Sequence, residues 1–305
     1  MKKRFILFLG ILGICVFFRA HAQEHRYDPP WNTPPQASLY FTVPGIENVP
    51  DLFGDINDPQ LVIFFAGNQF MCIDDLISGF KKDYPQYTRV FAETLPPEIL
   101  AKQILAGNLV IGNLKIDLKP DIYTAGKSSV NPLLAYFSKT EVYAQNKLAI
   151  MVQEGNPKKI QGLKDFERKD VRISMPNPEW EGIGKLIEKA YVQIGGEDLR
   201  RKIMEDKLKE GSTFLTQIHH RQSALRILNN ESDAAPVWYS EAIYQIMIHH
   251  PIEMINIPDD QNLTADYIAC QLKNASHKKA ADDFMNYLMS QKAQDIYKKY
   301  GFTVH

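Results

Sequence analysis

The sequence predicts an α/β fold: two doubly wound α/β lobes joined by a two-crossing hinge, with a ligand cleft between the lobes. Three observations carry this. From residue 61 to residue 140 short apolar runs alternate with segments of helical period, the pattern of a parallel sheet flanked by helices. A second set of strand and helix patterns follows from residue 146. The C-terminal helical segments then return to the first set, and a chain that passes twice between two bodies forms a hinge able to close on a guest.

The 305 residues are 45% hydrophobic and 23% charged, ordinary globular composition with room for two lobes of about 100–150 residues each. The expected division is a signal peptide at 1–22, a proline-rich arm at 23–58, one lobe from 59–145 plus 259–305, and the other from 146–258. Lys2-Lys3-Arg4, the apolar run Phe5 to Phe18 and Ala20-His21-Ala22 match the basic, apolar and small-x-small parts of a cleavable signal. The apolar run is shorter than the about 20 residues that span a bilayer, so export to the periplasm is expected. Cleavage after Ala22 removes four basic residues and no acidic one, which takes the formal charge from −1 to −5. No basic run of the kind that binds nucleic acid appears. Cys72 and Cys270 remain; two buried thiols are preferred over a disulfide.

Pro29, Pro30, Pro34, Pro35, Pro44 and Pro50 make residues 23–58 read as an extended arm on the surface. Leu61–Phe65 (LVIFF) is a buried strand, and a helix with Ile73, Leu76, Ile77 and Phe80 at helical spacing follows it. Gly67, Asn68 and Gln69 therefore stand at the carboxyl edge of a strand, where open α/β sheets bind ligands, or simply form a turn. Arg89–Thr94 is a strand that brings Thr94 to the same edge. Pro96-Pro97 opens a helix that Gly107 ends. Residues 120–124 and 146–152 are further strands, the second being the crossing. Pro176 to Gly184 is a rigid loop opening a long helix that Gly195-Gly196 stops; Trp180 within it lids a site or covers the core, with the core preferred. Strands at 252–257 and 267–272 precede two closing helices, and Gly301 is a stop signal.

The stretch Gly211–Ala242 carries the densest chemistry. Thr213, Thr216, His219, His220, Arg221 and Gln222 crowd before a helical run. That puts hydroxyls, imidazoles and a guanidinium at a helix N-terminus, where free N–H groups favour an anion. The alternative is a capped helix with a solvated entry. Pro236 to Glu241 reads as a polar strand end that adds Trp238 and Tyr239. Glu93 and Glu98 are expected to face solvent or to pair with Arg221.

Several chemistries leave no mark. There is no phosphate-cradling G-x-x-x-x-G-K-[ST], no H-E-x-x-H, no C-x-x-C and no G-x-S-x-G elbow. The histidine pairs His219-His220 and His249-His250 hold neighbours that face different ways on a helix, so a metal site would have to be assembled from both pairs with Glu241. No cofactor is expected.

LVIFFAGNQF at 61–70, LAKQILAG at 100–107, PDIYTAG at 120–126, NKLAIMVQEGNPKKIQGLKDF at 146–166, VRISMPNPEWEGIGK at 171–185 and SALRILNNESDAAPVWYSEA at 223–242, in this order, resemble the molybdate/tungstate-type periplasmic solute-binding proteins of ABC transporters. The resemblance covers about residues 60–300. It implies two α/β lobes and an oxyanion held by neutral donors. It puts Asn68 where the family commonly has Ser, with Gln69 beside it, and Thr94 near a second Ser position. Glu181 and Gly182 fall near a backbone donor, and Arg221, flanked by His220 and Gln222, near another. Trp238 stands where the family often has Tyr, with Tyr239 adjacent. Arg221 and the histidines add more positive charge than a neutral cage, which suits phosphate-like, sulfonate or carboxylate ligands as well.

The expected function is that of an exported, monomeric protein that captures a small molybdate-, tungstate- or sulfate-like oxyanion and passes it to a membrane ABC permease without covalent chemistry. The rivals are an exported module that senses the anion and a histidine-based metal-dependent hydrolase.

Overall fold

The computed structural model describes residues 38–40, 51–111, 114–179, 181–217 and 220–304. The signal peptide expected at 1–22, Trp180 and His219 lie outside them. In chain order the elements are β1 (Ser38–Tyr40), β2 (Asp51–Gly54), β3 (Leu61–Ala66), a 3₁₀ turn at Gly67–Cys72, α1 (Ile73–Asp83), β4 (Val90–Leu95), α2 (Pro97–Ala106), β5 (Leu109–Ile111), β6 (Leu114–Ile116), β7 (Ile122–Gly126), α3 (Lys127–Val130) and β8 (Phe137–Gln153). Then come β9 (Ile173–Met175), α4 (Gly182–Arg201), α5 (Lys207–Lys209), β10 (Thr213–Leu215), α6 (Gln222–Leu228), β11 (Ala234–Trp238), α7 (Tyr239–Met247), β12 (Ile252–Asn256), β13 (Thr264–Leu272), α8 (Lys278–Leu288) and α9 (Gln291–Lys299).

One curled sheet runs β1-β2-β4-β3-β7-β13-β8-β11-β9-β10, with β12 also on β8. Strand β3 shows why its residues make a central strand. Leu61, Ile63 and Phe65 enter one apolar cluster and Val62, Phe64 and Ala66 another on the opposite face. Period-two alternation between two covered faces is what a doubly wound parallel strand requires. Each buried Phe contributes about 1.5–3 kcal/mol. The closing helices α8 and α9 pack into the cluster that holds Phe65 and Phe80, so the tail does return to the first half.

The 17-residue strand β8 serves both halves. From Phe137 to Lys147 it pairs with β13, and from Leu148 to Gln153 with β11 and β12. The second passage is the loop between β12 and β13, pinned where Asn262 exchanges hydrogen bonds with the backbone of Leu148 at 2.9–3.0 Å. Both passages therefore sit side by side at Leu148.

Three expectations are corrected and one, the helix stop, is met. The surface arm at 23–58 ends in sheet: β2 pairs with β4, and Leu52 and Phe53 are buried. The long helix breaks at Gly195-Gly196 as expected: Gly196 takes φ 69°, ψ −173°, a conformation outside the helical range that glycine adopts freely, and a second helical segment follows to Arg201. The polar strand end at 236–241 is a strand to Trp238 and the first turn of α7 beyond it. Glu93 neither faces solvent nor pairs with Arg221: it is fully buried and accepts a hydrogen bond from Gln103 Nε2 at 3.1 Å. Burial pushes its carboxyl up to about 8 while that bond pulls it down. Both cysteines are buried free thiols.

Candidate functional site

A cleft of about 620 Å³ opens between the two halves of the sheet. The first half lines it with Asn68, with Pro97 and Glu98 at the start of α2, and with Lys127, Ser128 and Ser129 at the start of α3. The second half supplies Gly182, Ile183 and Lys185 from the start of α4, then His220 and Trp238. The crossing strand β13 closes the floor with Asp266 and Tyr267.

The first wall stands on neutral hydrogen bonds. Gln69 is fully buried, and its carbonyl oxygen accepts from Tyr143 Oη at 2.6 Å and Tyr297 Oη at 3.1 Å. Its amide donates to Thr124 Oγ1 at 2.9 Å. This clamps the Gly67–Cys72 turn and delivers its neighbour Asn68 to the cleft, where the Asn68 amide donates to Tyr267 Oη. Phe70, on the same turn, reaches across to Tyr244 of α7 in an edge-to-face contact at 5.4 Å.

The second wall stands on ionisable groups. Glu181 is buried at the start of α4 and accepts from Thr216 Oγ1. Its backbone N–H donates to Asn177 O at 2.8 Å. Gly184 permits this fold-back, since a Cβ there would sit 2.6 Å from Pro176 O. His220 lies between two carboxylates: its Nδ1 contacts Glu241 and is 3.9 Å from Glu181 Oε2. Burial holds the Glu181 carboxyl up at about 8 and pushes Glu241 well above the ordinary range, against the pull of Arg221 on Glu241. Burial likewise drives the His220 imidazole down to about 3. All three departures favour neutral forms, as a low-dielectric interior demands. Glu98, exposed on the cleft wall, is pushed up by loss of water and pulled back by Lys185 opposite it.

Of the residues singled out from sequence, Asn68, Gly182, His220 and Trp238 line the cleft. Gln69 and Glu181 lie just behind the wall and hold it in place. Thr94 is buried on β4 opposite Phe65; the cleft surface beside that strand end is Pro97 and Glu98. Arg221 is buried with its guanidinium 4.3 Å from the centre of the Phe70 ring. Gln222 accepts from the backbone N–H of Gln217. Tyr239 turns to Gly301 and to Lys147, whose Nζ is 5.2 Å from its ring centre. Tyr267, Lys127, Ser128, Ser129 and Lys185 complete the lining and were not among the sequence candidates. The strand-edge rule that selects Asn68 also selects Lys127–Ser129, which directly follow the carboxyl end of β7.

His220 and the pair His249-His250 do not come together. His249 and His250 follow the far end of α7, about 12 Å of helix from Glu241, and His250 Nδ1 is 2.6 Å from Gln245 Oε1. Among the described residues no group of three or more His, Cys, Asp or Glu is arranged to hold a metal ion.

A family model described as bacterial extracellular solute-binding protein matches residues 61–303. No curated protein matches the sequence. Among solved structures, the periplasmic molybdate-binding protein of Azotobacter vinelandii superposes with TM-score 0.65 at 17% identity, covering 80% of this chain and 99% of the other. The sulfate-binding protein SubI of Mycobacterium tuberculosis gives 0.66 at 16%, covering 80% and 86%. PEB3 of Campylobacter jejuni, solved with L-phospholactate bound, gives 0.60 at 19%, covering 80% and 100%.

Proposed function

The chain belongs to the family of bacterial extracellular solute-binding proteins, and from that premise we propose that it is exported, captures one small oxyanion in its cleft and presents it to the membrane permease of an ABC transporter. The observation that carries this is the lining of one cleft by polar groups from both halves: Asn68 on one side, and Gly182 at the N-terminus of α4 with His220 and Trp238 on the other. Free N–H groups at the start of a helix favour negative charge. Three or four charge-assisted hydrogen bonds at about 1.5–3 kcal/mol each support micromolar binding, which requires about −8.2 kcal/mol.

Residues 59–145 with 259–305, and residues 146–258, act as the two lobes of a monomer. They close about the paired passages at Leu148. Family and fold are those of transport proteins, which perform no catalysis. Molybdate, sulfate and L-phospholactate, the ligands of the similar structures, share an oxyanion head, and molybdate, tungstate or sulfate is the first ligand set to test.

Melting of the mature protein is to be followed with molybdate, tungstate, sulfate, phosphate and small carboxylates. At a hundredfold excess over Kd the true ligand stabilises by about 2.7 kcal/mol. Unchanged melting with every anion overturns the proposal.

A further inference from the structure

The cleft is longer than a single inorganic oxyanion needs. Helix α2 lines it from Pro97 to Leu105 and helix α4 from Gly182 to Lys189, about 12 Å and about 10 Å of helix at 1.5 Å per residue. Of the five α4 residues that line it, 182, 185, 186 and 189 recur at i, i+3, i+4 and i+7, a stripe along one face, with Ile183 beside its first turn. Along that stripe the chemistry changes: backbone N–H groups at Gly182, an apolar Leu186 one turn on, and exposed ammonium groups at Lys185 and Lys189. The first half adds the apolar Ala101 and Leu133 to the same lining.

An oxyanion seated at the first turn of α4 beside Asn68 leaves Lys189 about two turns away. Bare molybdate or sulfate has no apolar part to meet the middle and no second charge for the far end. The volume of about 620 Å³ lies within the about 300–1,000 Å³ typical of sites for organic ligands. Lining charge agrees. Three lysines, Lys127, Lys185 and Lys189, outnumber the two lining carboxylates, Glu98 and Asp266.

We propose that the ligand is an organic anion bearing two anionic groups on a short carbon skeleton, one group held at Asn68 and the α4 N-terminus and the other at Lys185 and Lys189. This rests on the reading of the cleft as an oxyanion site and specifies its substrate class. The test is calorimetric titration of the mature protein with sulfate, molybdate and phosphate, and with matched one-headed and two-headed compounds: acetate against succinate, and methylphosphonate against phosphonoacetate and 3-phosphonopropionate. A two-headed member should bind at least about tenfold more tightly than its one-headed partner and than any inorganic anion, a difference of about 1.4 kcal/mol. The double variant Lys185→Gln, Lys189→Gln, made at exposed positions that leave the core untouched, should erase that difference, lowering two-headed affinity at least about tenfold more than one-headed affinity. An inorganic anion that binds as tightly as every two-headed compound overturns this inference while leaving the parent reading intact. So does a two-headed preference that survives the double variant. Silence from every anion removes the parent reading and this inference together.

Discussion

The two walls of the cleft solve the same problem, a buried polar group close to a ligand space, in opposite ways. In the first half Gln69 is held by three neutral hydroxyls, from Tyr143, Tyr297 and Thr124. Burial pushes the phenols of Tyr143 and Tyr297 above their ordinary value, so none of these groups changes charge near neutral pH. In the second half Glu181, His220 and Glu241 share a buried space with Arg221 nearby. Their charge states depend on how much water and which ions reach them. The comparison teaches that Asn68 is presented by a wall fixed at any ordinary pH, whereas His220 is presented by a wall whose protonation is set by its surroundings. The pH response of the protein should therefore come from the second half.

The largest expected effect breaks the neutral wall. Gln69→Leu keeps the volume but leaves the phenols of Tyr143 and Tyr297 and the hydroxyl of Thr124 without their shared partner. Each unsatisfied buried group costs about 1–3 kcal/mol, so urea unfolding should show a loss on the order of 3 kcal/mol or more. The loss should be the same at pH 5.5 and pH 8. A loss below about 1 kcal/mol would show that water replaces the amide and that the wall is not fixed.

A smaller effect sharpens the contrast on the other side. Burial raises the Glu181 carboxyl from 4.5 to about 8, so between those values the folded state holds a proton that the unfolded state releases. The stabilisation is complete below 4.5 and is lost as pH rises through about 8. Burial lowers His220 from 6.5 to about 3, so its contribution is present above 6.5 and is lost as pH falls through about 3. Summed, these two contributions are greatest between about 4.5 and 6.5 and decline on either side. Glu181→Gln removes the proton exchange while keeping an acceptor for Thr216. Its stability should fall less steeply than that of the parent from pH 5 to pH 9, with the difference accumulating up to about pH 8. Parallel pH profiles for the two proteins would place the titration elsewhere.

Much of the scaffold was legible in the sequence because its signals are local. LVIFF can only be a strand covered on both faces, Pro97 and Gly107 bound α2, and Gly301, at φ 85°, ends the last helix. What escaped depends on partners far along the chain. The pairing of Leu52 with Glu93 turns a proline-rich tail into sheet edge, and no local pattern announces it. Arg221 displays its charge in the sequence, but the Phe70 ring that covers it lies 151 positions earlier. The site was legible where one rule, the carboxyl edge of a parallel strand, picks Asn68. It was obscured where a side chain such as Gln69 or Glu181 sits one layer behind the surface that its neighbours line.

The smallest effect tests whether the neutral wall works as a network or as a set of separate bonds. Tyr143→Phe removes one donor to Gln69 and leaves the second, Tyr297 at 3.1 Å, in place. The carbonyl of Gln69 is then still satisfied, and no buried polar atom is stranded by the change. Only the net value of one hydrogen bond is lost, about 0.5–1.5 kcal/mol. The same loss should appear at pH 5.5 and pH 8, because no charged group is involved, and affinity for the anion should stay within about threefold, because Asn68 keeps its place. A cost near that of Gln69→Leu would instead mean that Tyr143 and Tyr297 act cooperatively through the shared oxygen. A double-mutant cycle with Tyr297→Phe would then show a coupling energy well above the about 0.5 kcal/mol expected of independent sites.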